Sequence, residues 1–173
     1  WRGAAEAVGI SCPVVKDAAD FHVRVDVTGT RGGRSGLVLR AGGRTGVLVS
    51  LDFDTGQAEI GTARHHPIAG WGDCPIGFVP DGEPRDERGV IDTCRLPIET
   101  GRTYALRCLA RAEHFEAYLD DRWLFTTPIP GTPLSGDILL YTERGRASFT
   151  DLRTAALSPL KRTTTIGEHH PQE

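Results

Sequence analysis

The side chains best equipped for chemistry in this sequence are carboxylates and guanidiniums near strand ends, with aromatic rings close to them in the chain. Asp52 and Asp54, one residue apart, share one face of an extended strand, and Glu59 follows. Hydrolysis of a glycosidic bond on a β-sandwich needs two opposed carboxylates, set by a pattern such as E-x-D-x-x-E. Here a turn at Thr55-Gly56 interrupts the run and no third carboxylate is in register. Ser50 lies on a strand without a sharp-turn motif, and adjacent His65 and His66 point apart without metal-ligand spacing. The sequence predicts no catalytic residue on these 173 positions.

Binding is the better-supported chemistry. A polyhydroxylated ligand is held by planar polar groups that fork hydroxyl pairs and by aromatic faces that stack on its apolar surfaces. Arg40, Asp52, Glu143 and Arg144 supply the first kind of group, and Tyr141, Trp71 and Trp123 the second. Arg40 and Asp52 end successive strands, so their heads are expected to converge at one rim. Trp71, between Gly70 and Gly72, is the expected exposed ring, whereas Trp123 follows a turn and reads as a core or contact aromatic. Against this reading, Arg40 and Asp52 would form only a surface ion pair, worth under about 1 kcal/mol.

The elements that carry these residues read as strands. Phe21, Val23, Val25 and Val27 alternate with polar residues, the period-2 mark of a strand with one face on a core. Leu37-Val38-Leu39, Gly46 to Asp52 and Gln57 to Gly61 follow, separated by turn residues. Alternation returns at Tyr104, Leu106, Cys108 and Ala110, then at Phe115, Ala117 and Leu119. Asp137 to Thr142 and Ala147 to Leu152 are the last strands. Many short strands with no long helical period predict an all-β, antiparallel two-sheet sandwich. The sandwich is expected over 21–157, with a lead-in over 1–20, a long loop insertion at 63–100 and a flexible tail over 158–173. Only residues 3–8 offer a turn of helix.

Composition narrows the partners. A net charge of -3 gives no clustered positive field for nucleic acid or for an anionic membrane, and no apolar run is long enough to span a bilayer. The even count of cysteines, Cys12, Cys74, Cys94 and Cys108, allows disulfides. Cys74–Cys94 would staple the long loop and Cys12–Cys108 is the lesser expectation. Oxidised pairs would place the chain outside the cell.

Several segments together resemble a known family. Phe21-x-Val-x-Val-x-Val, Gly36-Leu37-Val38-Leu39-Arg40 and Val49-Ser50-Leu51-Asp52 look like the opening of the C-terminal β-sandwich of glycoside hydrolase family 32. Glu113 to Arg122, Gly136 to Tyr141 and Ala147 to Leu152 resemble its later hairpin and closing strands. The fructan-binding carbohydrate modules share these features. The resemblance covers about 21–157 and implies a jelly-roll sandwich of the concanavalin or laminin-G kind. It also implies a fructan-like oligo- or polysaccharide ligand, an upstream catalytic domain and an extracellular location. By the same analogy Asp151 would hold a structural calcium. Two other roles remain open: a sandwich that only buttresses a catalytic propeller, and an independent sandwich hydrolase.

Overall fold

A computed structural model describes residues 2–5, 10–42, 45–66, 77–80 and 89–158, with side chains described over 12–42, 45–63 and 89–158. Two antiparallel sheets face one another. The first has the strand order β1-β13-β3-β9-β10-β11 and the second β2-β12-β4-β5-β6-β7, with β8 also pairing β6. The strands of the first sheet are β1 (Arg2–Ala5), β3 (Phe21–Gly29), β9 (Thr103–Arg111), β10 (His114–Leu119), β11 (Arg122–Pro128) and β13 (Gly145–Ala156). Those of the second are β2 (Ile10–Ala18), β4 (Arg34–Gly42), β5 (Thr45–Asp52), β6 (Gln57–His66), β7 (Gly77–Pro80), β8 (Val90–Arg95) and β12 (Gly136–Glu143). The all-β, two-sheet class expected from alternation is the architecture present.

Alternation sorts the first sheet cleanly. Val23, Val25, Val27, Leu106, Cys108, Phe115 and Ala117 are fully buried, while the residues between them face outward and keep partial contact with solvent. The second sheet behaves differently. Leu37, Leu39, Val49, Leu51, Ile60 and Ile138 complete the core from its inner face. Val38, Leu48, Ala63, Leu139 and Tyr141 form a second buried cluster. Because Val38 lies between Leu37 and Leu39, this cluster sits on the opposite face of the sheet. β4 and β5 are therefore buried on both sides, which is why their sequences read as near-continuous apolar runs rather than alternating ones.

The β4–β5 hairpin depends on a close approach at Gly36. A Cβ there would lie 2.0 Å from the Val49 carbonyl oxygen and 2.8 Å from the Ser50 Cα. Only glycine fits between the strands at this point.

Three sequence expectations change. The sandwich begins before Phe21, since β1 pairs β13 and β2 pairs β12; residues 3–5 are strand, not helix. The segment expected as one long insertion contributes β7 and β8, which divide the free edge of β6 between them. No disulfide is found among the described residues. Cys108 is a free thiol inside the core, and burial pushes it up to about 12, so it is inert as a nucleophile. Cys94 is also a free thiol, and Cys74 lies outside the described residues. Residues 159–173 lie outside them as well.

Candidate functional site

The hairpin register decides which charges meet. In the antiparallel β4–β5 pair, Arg34 stands opposite Asp52, Gly36 opposite Ser50 and Val38 opposite Leu48. On the next strand Ser50 faces Glu59, and on the other side Arg34 faces Glu143 of β12. Arg34, Ser50, Asp52, Glu59 and Glu143 thus fall on one patch of the second sheet, on the face turned away from the core.

Their heads close into a network. Arg34 Nη2 lies 3.2 Å from Asp52 Oδ2 and 3.2 Å from Glu59 Oε2, and its Nη1 lies 3.9 Å from Glu143 Oε2. Arg144 closes the opposite side, with Nε 3.1 Å from Glu143 Oε1 and Nη2 3.7 Å from Asp52 Oδ2. The side chain of Arg34 is 1% exposed, that of Glu143 14% and that of Arg144 25%, so the cluster opens outward through Arg144 and Glu143. Three carboxylates share two guanidiniums, and every planar group is held in place before any ligand arrives.

Local structure fixes two members. Asp52 Oδ1 accepts the backbone N–H groups of Asp54 and Thr55 at 2.9 and 3.0 Å, which ties its carboxylate to the turn after β5. The Tyr141 hydroxyl donates to Glu143 Oε2 at 2.8 Å from beneath the patch. Burial, then Glu143 beside it, raises the Tyr141 phenol well above its ordinary value, so it stays protonated as a donor.

The carboxylates titrate apart. Burial alone would raise Asp52, but the Thr55 and Asp54 N–H groups and the Arg34 guanidinium outweigh it, and its pKa falls below the ordinary 3.8. Burial raises Glu59 above the ordinary 4.5, opposed by Arg34 and reinforced by Asp52 and Glu143. Three donors are left over: Arg34 Nε, Ser50 Oγ and Arg144 Nε are buried and make no hydrogen bond, and Arg144 Nε keeps only its ion pair with Glu143. A small cavity lined by Arg34, Ser50, Glu59, Thr62 and Val90 adjoins Arg34 and Ser50 and has room for about one water. The groups of the cluster that a hydroxyl-rich ligand can reach are the partly exposed Glu143 carboxylate and Arg144 guanidinium.

The structure brings together Asp52, Tyr141, Glu143 and Arg144 from the residues expected by sequence. It gives Tyr141 a different part, because a fully buried ring cannot stack on a ligand and instead orients Glu143. It separates Arg40 from Asp52. Arg40 is fully buried at the other end of β4, where Nε donates to the Ala19 carbonyl at 2.8 Å and Nη2 lies 3.0 Å from Asp20 Oδ1. Nη1 donates to the Ala112 carbonyl, and the guanidinium carbon is 5.3 Å from the Phe115 ring centroid. Arg40 is a clasp between connections, with no face left for a ligand. Trp71 lies outside the described residues. Trp123 is 61% exposed on the other sheet, not a core ring.

Asp151 does not fit a calcium. One carboxylate oxygen is 3.1 Å from Arg24 Nη1 and the other 2.9 Å from Arg153 Nε, so both are spent on cations. Among the described residues no group of three or more His, Cys, Asp or Glu side chains is placed to hold a metal ion.

Arg34, Ser50 and Glu59 were not in the expected set. The signal for Arg34 was incomplete: counting back from the hairpin turn gives the β4–β5 pairing only to within a residue, and the register shift between Leu39 and Gly42 decides it. Glu59 needed the β5–β6 register as well.

No family model matches the chain, and no curated protein matches it. Solved structures do. The carbohydrate-binding module CBM66 from Bacillus subtilis superposes with a TM-score of 0.69 at 19% identity, over 90% of this chain and 86% of that one. The Caenorhabditis elegans galectin LEC-6 gives 0.50 at 10% identity, over 87% of this chain and 96% of that one. Lactose- and MES-liganded congerin II gives 0.54 at 10%, over 84% and 98%. At these identities the likeness establishes the jelly-roll fold.

Proposed function

We propose that this protein is a carbohydrate-binding module whose ligand seats on the outer face of the second sheet. Arg34, Ser50, Asp52, Glu59, Glu143 and Arg144 form the site. The observation that carries this reading is the buried Arg34 that holds Asp52, Glu59 and Glu143 in fixed positions, while Glu143 and Arg144 stay partly exposed at the outer face. Such a preset array meets sugar hydroxyls at little ordering cost. The ligand is a fructan-like oligo- or polysaccharide, and the module serves an exported glycoside hydrolase as an accessory. The fold shared with a carbohydrate-binding module and galectins supports the role, and the motifs along 21–157 support the finer assignment.

Binding suits the site better than hydrolysis. Asp52 and Glu59 lie 3.2 Å from the same guanidinium nitrogen, which leaves no room for a sugar between a nucleophile and an acid. It also suits the molecule better than a purely structural part. A buttress needs a broad apolar face. The exposed large apolar side chains among the described residues are Ile91, Trp123, Leu134 and Leu152, spread over β8, β11, the connection after it and β13. A glycan array that includes fructans tests the reading. Binding to fructan-type glycans is expected, and an array with no bound glycan overturns it.

A further inference from the structure

The strand β13 is paired over only part of its length on one side. It pairs with β3 from Ala147 to Ala156, whereas β1 covers its other edge only from Gly145 to Ser148. A bulge between Thr150 and Arg153, where Asp151 takes a φ of 49°, separates the covered part from the rest. Among the described residues no strand pairs the free edge from Arg153 to Ala156, so its outward backbone N–H and C=O groups have no strand partner.

Register shows where the side chains of this edge point. Thr154 stands opposite Val23 and Ala156 opposite Phe21, and both partners are buried in the core. Directly opposite residues share a face, so Thr154 and Ala156 point between the sheets. Both are nevertheless exposed. They line a groove of about 510 Å³, whose other wall is Val15, Ala18 and Ile138 of the second sheet, with Leu157 beside them. The Leu157 N–H donates to the Asp20 carbonyl at 2.9 Å, which ties the end of β13 to the connection between β2 and β3. The Asp20 carboxylate lies 3.0 Å from Arg40 Nη2, and Asp17 is exposed to water, so the interior of the groove is apolar.

We propose that this edge takes up an extended segment of a partner polypeptide, added to β13 as a further strand in line with β1. The position is one that strand addition already uses, since β1 occupies the same edge a few residues away. Outward N–H and C=O groups at strand spacing are met group for group by another backbone, which a sugar chain does not offer. Alternate side chains of the segment would enter the groove against Val15, Ala18 and Ile138, so they are apolar and of valine or isoleucine size. Thr154, Ala155 and Ala156 bring no charge and no proline, the devices that usually keep an edge from pairing, and Arg153 turns its head to Asp151 at 2.9 Å. A second copy of this chain fits less well. Two β13 edges meeting antiparallel would turn only Thr154 and Ala156 inward, and neither fills the groove. The site lies between the sheets, apart from the outer face that carries Arg34.

Amide NMR of the isotope-labelled chain, titrated with the blocked peptide Ser-Val-Thr-Val-Thr-Val-Ser, tests this. Saturable shifts are expected at Arg153 to Leu157 and at Val15 to Ala18, complete by about 1 mM peptide and unchanged in about 0.5 M NaCl. The same peptide N-methylated at every residue, which cannot donate to a strand, is expected not to bind. Ala156→Asp places a carboxylate in the groove at an exposed position that folding tolerates, and is expected to weaken binding about tenfold or more. Arg153→Ala, whose side chain points outward opposite Arg24, is expected to leave it unchanged. Absence of shifts with wild type, shifts confined to other strands, equal binding of the N-methylated peptide, or full binding by Ala156→Asp would each overturn the proposal. Sedimentation that shows a dimer joined through Arg153 to Ala156 would overturn it in favour of a second copy. None of these outcomes depends on whether the Arg34 cluster binds a sugar.

Discussion

Arg34 and Asp52 face each other across the β4–β5 hairpin with Nη2 3.2 Å from Oδ2, and both side chains are almost completely withdrawn from water. The same arginine nitrogen lies 3.2 Å from Glu59 Oε2. One guanidinium therefore organises carboxylates from β5, β6 and β12, and the geometry of the site rests on it.

Removing it should be costly. Arg34→Met leaves Asp52, Glu59 and Glu143 crowded without their central cation, and loss of one partner of a buried pair typically costs about 3–5 kcal/mol. Urea denaturation at pH near 7 should show a loss of unfolding free energy of that size. The loss should shrink toward pH near 4, where the stranded carboxylates take up protons.

The carboxylates should titrate in opposite directions. Glu59 has a folded pKa above 4.5, so protonating it favours the folded state: its contribution is full below 4.5 and is lost as pH rises through the folded value. Asp52 has a folded pKa below 3.8, so its contribution is present above 3.8 and is lost as pH falls through the folded value. Comparing wild type with Glu59→Gln, the balance should shift toward wild type as pH drops from about 7 to below 4.5. With Asp52→Asn it should shift away from wild type below 3.8. Thermal unfolding across this range reads both.

Arg40 should matter for folding and not for sugar. Arg40→Met abandons the carbonyls of Ala19 and Ala112 and leaves Asp20 without its cation, for a loss of about 3 kcal/mol. The folded fraction, measured by glycan titration, should keep wild-type affinity.

Gly36→Ala tests the hairpin itself. The added methyl would meet the Val49 carbonyl at 2.0 Å, so the strands must part, at a cost of about 2–3 kcal/mol. Because Gly36 pairs with Ser50 and lies two residues from Arg34 on the same face, glycan affinity should fall together with stability.

Much of the fold was legible because alternation is a local signal. Val23, Val25 and Val27 announce a half-buried strand without knowledge of any partner. Asp52, Glu143 and Arg144 were legible as polar groups at strand ends, and they do meet. What failed was pairing. Arg40 looked like a rim residue because it ends an apolar run, yet its partners are loop carbonyls far along the chain, at Ala112 and Pro133. Tyr141 and Val38 were missed although the near-continuous apolar runs of β4 and β5 carry the mark of burial on both faces; which strands join them in the outer cluster is not legible from either run alone. The strands before Phe21 lack clean alternation, and their pairing with β12 and β13 supplies what periodicity does not.

Glu143 is a partly exposed carboxylate at the opening of the Arg34 cluster, so its substitution reports whether sugar seats there. Isothermal titration of wild type and Glu143→Gln with a fructo-oligosaccharide, at matched thermal stability, is the measurement. Saturable binding by wild type and a loss of about tenfold or more in the variant are expected. Equal affinity in the two proteins would rule out the Arg34 cluster as the sugar site.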